Sequence, residues 1–187
     1  MLRDISDKGF VEGTAFDLAG HCAARKTVMD TDGCALRFRL GCCDSFAAYE
    51  QALVAAGCII RSGASAILRD NASVSCDAPG IVLNGIVTSG RDIGLIKPAT
   101  LEHVYEQAGK QRYYPCPEES GFALALQLCR YNRVFSNRMR VATKPFMVDE
   151  KPMLLGIEGN DVQLFAVRPS DGLYGPDNFW LFWDRSS

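Results

Sequence analysis

The chain lacks any run of about 18 apolar residues, so no stretch reads as a membrane-spanning helix. Its opening, MLRDISDKGF, carries acids where an export signal has a basic flank followed by an apolar stretch. The expectation from these two absences is a cytoplasmic chain with no membrane partner. Histidine is scarce: His21 and His103 are the only two, which leaves few choices of base for nucleophilic catalysis. No two cysteines stand at C-x2-C spacing, the usual half of a structural zinc site, and no metal is expected. Neither G-x-x-x-x-G-K-[ST] nor G-x-G-x-x-G occurs, so the phosphate-cradling loops are excluded and no cofactor is predicted. Internal repeats and low-complexity segments are also missing.

What is present describes an ordinary globular chain. Its 187 residues are 48% hydrophobic and 22% charged, enough for one domain with a buried core. Sub-structure is expected at a break between a 1–97 part and a 98–187 part. Eight cysteines sit mostly beside Ala, Gly, Leu or Ile, where a free thiol packs as a small apolar group. Reduced, structural cysteines are the reading, against the alternative of disulfides in an exported protein. Charge is unevenly spread. Residues 110–144 hold seven Lys and Arg against Glu118 and Glu119, a net of +5, which leaves −7 for the rest of a chain whose total is −2.

The pattern predicts an α+β fold, with two helices packed on a largely antiparallel sheet. In residues 21–42 the Asp32-Gly33 turn signal predicts a hairpin, and Leu36, Phe38 and Leu40 alternate with Arg37 and Arg39 as in a half-buried strand. A helix follows, with Asp44 or Ser45 as N-cap, an apolar face of Phe46, Tyr49, Leu53 and Ala56, and Gly57 as terminator. CIIRSGASAILRD and GIVLNGIVTSG read as strands broken by small residues, so strand, helix and strand could form a βαβ unit. The second helix starts at Thr100, buries Leu101, Val104, Tyr105 and Ala108, and ends at Gly109. Beyond it the chain reads as a β-meander, with strands over 122–129, 138–147, 153–158, 162–168 and 179–184.

Three candidate sites emerge. The stretch GCCDSFAAYEQALVAAGC puts Cys42 and Cys43 just before a helix N-terminus, where partial positive charge favours a thiolate. With His21 as base it would make a small hydrolase or transferase. The competing reading is a strand end packed under a helix. The segment containing Arg130, Arg133, Arg138 and Arg140, interleaved with Tyr131 and Phe135, suits phosphates and bases, or an acidic protein partner, or a second copy. The strand with Phe179, Trp180 and Trp183 is apolar on both faces, hence either central to the core or half of an interface. Glu118 and Glu119, in a connector beside Tyr113 and Tyr114, read as a charged surface loop, with general acid–base work by a buried carboxylate as the alternative. The leading expectation is a non-enzymatic protein that binds a macromolecular partner and self-associates.

Overall fold

In a computed structural model, the residues described are 16–17, 27–29, 34–74, 76, 80–135, 137–159, 161–169 and 173–185. In chain order they form β1 (Phe16–Asp17), β2 (Thr27–Met29), β3 (Cys34–Arg39), α1 (Phe46–Ala55), β4 (Ile59–Ile60), α2 (Ser62–Asp70), β5 (Val82–Ser89) and α3 (Leu101–Lys110). Then come β6 (Tyr113–Tyr114), α4 (Ser120–Arg130), β7 (Arg133–Phe135), β8 (Arg138–Val141), β9 (Phe146–Val148), β10 (Lys151–Glu158), β11 (Gln163–Val167) and β12 (Phe179–Asp184). The class is α+β.

One mixed sheet runs in the order β1-β3-β5-β12-β8-β10-β11-β4, with β6 alongside β12 and β9 alongside β10; β2 and β7 form a separate pair. Its two faces bury two cores. Leu36 and Phe38 of β3, Met139 and Val141 of β8 and Leu181 of β12 pack with α1, α2 and α4. On the opposite face Trp180, Phe182 and Leu154 pack with Val104 and Ala108 of α3, and with Ile93, Leu95 and Tyr174. Alternation along β12 therefore feeds both cores, which is why the strand has no polar face. It lies between β5 and β8, so of its two readings the central one holds.

Local signals place α1 and α3 well. The Ser45 hydroxyl accepts from Ala48 N–H and the Thr100 hydroxyl from His103 N–H, each satisfying an orphan donor of the first turn. Gly57 takes φ +80° after α1. Gly109, however, lies inside α3, and Arg112 at φ 63° supplies the left-handed residue instead.

Four expectations are corrected. The expected hairpin is absent as such, because β2 pairs in parallel with β7 while β3 pairs with β1 and β5; the Asp32-Gly33 turn lies outside the described residues. The strand read in SGASAILRD is helix α2, burying Ala64, Ile67 and Leu68 at three- and four-residue spacing. The strand read over 122–129 is helix α4. The strand–helix–strand expected around α1 is not a βαβ unit of adjacent strands, since α1 leads from β3 to β4 at the far edge of the sheet. Meander pairing survives at β8–β10–β11, all antiparallel, but β12 inserts beside β8 in parallel.

Candidate functional site

The seam at the start of α1 is built from β3, the turn after it, and α4. Gly41 turns the chain at φ 65° and donates its N–H to Glu119 Oε2 at 3.0 Å. The same oxygen accepts from the Tyr49 hydroxyl at 2.5 Å. About two turns along α4, Gln127 accepts from Arg39 N–H at 3.0 Å and donates to Arg39 C=O at 2.8 Å. Its amide thus continues the backbone pairing of β3 past the point where β1 stops at Arg37. Two side chains of one helix hold the whole turn.

Cys42 and Cys43 sit within this frame. The Cys42 thiol donates to Arg39 C=O at 3.3 Å and faces the Gln127 amide at 3.6 Å. Burial pushes it up, and Glu119 adds to the rise, against the lowering fields of Arg130 and Arg39. Cys43 is buried and pushed up to about 11 by desolvation, with Cys42 beside it. Desolvation outweighs the lowering fields of Arg130 and Arg39 at Cys42 and of Arg130 at Cys43, so neither thiol is set up as a thiolate. His21, the proposed base, lies outside the described residues. His103 is exposed on α3, engaged with Glu106 and Gln107.

For Glu119 the surface-loop reading fails, and the carboxylate is buried as the alternative required. Read as a loop charge, it is 3% exposed, whereas Glu118 beside it is exposed. The available signal was position: Pro117-Glu-Glu-Ser-Gly before an Ala/Leu run is a helix start, and one of its acids faces inward. Tyr49 belongs to the same group, its hydroxyl pushed up by burial and then by the Glu119 charge.

The basic segment does not form one patch. Arg130 ends α4, on the side of the first core, and is exposed. Arg133 is half-buried in β7, a strand outside the main sheet. Arg138 and Arg140 alternate with Met139 and Val141, so they lie on the opposite face, beside the second core. There the Arg138 guanidinium sits 3.6 Å from the centre of the Phe165 ring. That of Arg140 is 5.2 Å from Tyr174 and 5.8 Å from Trp180. Burial lowers Arg140, and the neighbouring Arg138 charge adds to it. Neither guanidinium forms an ion pair with a described residue.

Of the aromatic residues of β12, Trp180 is fully buried, and Phe179 and Trp183 are half-buried against the first core. Arg185 covers the Trp183 ring at 4.1 Å. Among the described residues no three His, Cys, Asp or Glu side chains converge as metal ligands would. Among the described residues no helix is long and apolar enough to cross a membrane. No protein-family model, no curated protein and no solved structure matches the chain. Fold and site together define an α+β protein with a hydrogen-bonded, thiol-lined seam on one side of its sheet and an arginine pair on the other.

Proposed function

We propose that the protein is a non-enzymatic binding protein that takes an acidic protein surface on the sheet face bearing Arg138 and Arg140. The carrying observation is the pair itself. Two guanidiniums two residues apart on one strand rest on aromatic rings, without a carboxylate bonded to either among the described residues. Ring faces hold the cations in place; Arg140 Nε is buried without a hydrogen-bond partner, and the exposed Arg138 guanidinium is open to carboxylates. A half-buried cation of this kind gains most from an anion that a partner brings with it. The cysteine-nucleophile alternative, a hydrolase or transferase at Cys42 or Cys43, draws little from a seam where burial raises both thiols.

Fluorescence anisotropy with labelled poly-glutamate and with a labelled single-stranded oligonucleotide tests the reading, and sedimentation velocity reads self-association. Binding to poly-glutamate is expected, weakening with salt and lost in the R138E/R140E variant. Stronger binding to the oligonucleotide, with a steep salt slope, would transfer the face to nucleic acid. Equal binding by wild type and variant would remove the face from the proposal.

A further inference from the structure

We infer that the cavity beside the start of α3 is a binding site for a small carboxylate with an apolar body. The cavity measures about 460 Å³, inside the range of ~300–1,000 Å³ usual for small-molecule sites. It opens over the second core, to which two of its lining residues, Leu95 and Ala99, belong. It is a separate place from the arginine pair, and the inference does not rest on that face.

Backbone pairing builds the cavity before any ligand arrives. Gly94 takes φ +96° after the turn that follows β5, a left-handed position that glycine adopts without strain. Further along, Ala99 and Tyr174 exchange both backbone hydrogen bonds, at 3.0 and 2.8 Å. That exchange ties the loop carrying Ile96 to the segment carrying Leu173. Both side chains line the cavity, yet they are 92% and 61% exposed. Ile96 is the most exposed large apolar side chain among the described residues. Apolar surface held out in water beside a ready-made cavity is what an apolar ligand covers.

The polar groups select the head of that ligand. Lys97 is the one charged side chain among the described lining residues, which include no acid. It forms no ion pair with a described residue. Glu106, an acid of α3, is already engaged by Lys110 at 3.1 Å and by His103 at 3.2 Å. With its Nδ1–H directed at Glu106, the His103 ring accepts at Nε2 from the Gln107 amide at 3.3 Å. Gln107 keeps a second amide N–H, and it lines the cavity with Lys97. One cation and one amide donor match the single charge and two oxygens of a carboxylate. A phosphate group, with a charge of about −2 and three acceptor oxygens, calls for arginine clusters, and no described lining residue is an arginine.

NMR titration of the full, 15N-labelled chain with octanoate, octanol and octylamine tests the site. Octanoate is expected to bind, with amide shifts centred on Leu95, Lys97 and Leu173. Octanol should bind about three- to fivefold more weakly, the worth of one exposed charge pair, and octylamine more weakly still. Lys97→Gln should remove the difference between octanoate and octanol. Leu173→Ser should weaken both by about tenfold. Both substitutions fall at exposed positions and leave the second core intact. Equal binding of octanoate and octanol by the wild type, a preference for octylamine, or an octanoate advantage that survives Lys97→Gln would each overturn the inference. Shifts confined to Arg138 and Arg140 would overturn it as well. So would the absence of binding by all three probes, the result expected of a cleft that seats a protein side chain instead.

Discussion

Glu119 carries more of the fold than its place in a proline-flanked connector suggests. Its Oε2 gathers the Gly41 N–H and the Tyr49 hydroxyl, from the β3 turn and from α1. Tyr49→Phe removes one donor from a buried carboxylate. The expected loss is about 1–3 kcal/mol, read from the urea midpoint at constant slope. Cys43 gives a pH signature of its own. Its thiol stands near 9 in a model peptide and at about 11 in the fold. A raised value means that its share of stability is full below about pH 9 and is lost as pH climbs through about 11. Alkaline urea titrations should therefore fall more gently for Cys43→Ala than for wild type. Thiol labelling of Cys43 should likewise rise with pH without levelling off near neutrality. A plateau near pH 7 would restore the nucleophile reading.

Among the elements, α4 explains why part of the fold was hidden in the sequence. Phe122, Leu124, Leu126 and Leu128 alternate with Ala123, Ala125 and Gln127, which is the period of a strand. Yet residues 120–128 are all buried, so the helix has no polar face to display a 3.6 period. Its composition was the better guide, since Ala, Leu and Gln favour helix and no β-branched residue interrupts them. Gly121 lets that helix lie close on the sheet, where a Cβ would come 2.5 Å from Leu155 Cδ2. In Gln127→Leu the backbone N–H and C=O of Arg39 both lose their amide partner, at an expected cost of about 1–3 kcal/mol. Hydrogen exchange at the Arg39 amide should rise in step. On the sheet's other face a Cβ at Gly156 would meet the Phe165 ring at 2.1 Å. Gly156→Ala must displace a ring held under Arg138, and a loss of about 1–3 kcal/mol in thermal or urea unfolding is expected.

At the scale of the whole molecule, the charge of residues 110–144 is dispersed by topology. Lys110 pairs with Glu106 on α3, Arg130 ends a helix over the first core, and Arg138 and Arg140 sit on the other face. Sequence proximity suggested one basic surface; the sheet runs between its parts. The aromatic strand changed meaning in a similar way. Trp180 touches Tyr174 at 4.9 Å and Phe182 at 6.1 Å between ring centres, in the middle of the second core. Trp180→Ala should cost about 3–5 kcal/mol in urea unfolding and leave any assembly that survives folding unchanged. A stable Trp180→Ala chain of altered size would return β12 to the surface.

By itself the sequence determined what depends on near neighbours. A cap at Asp44 or Ser45, of which the structure uses Ser45, the cap at Thr100, the turn at Gly57, the inward rows of Leu36 and Phe38, and the limits of β12 all follow from spacing within a few residues. Only the tertiary structure decided which strands adjoin and that Glu119 points inward. Those depend on contacts between positions tens of residues apart, where loop closure and packing against a shared core select one arrangement among many that the local pattern allows.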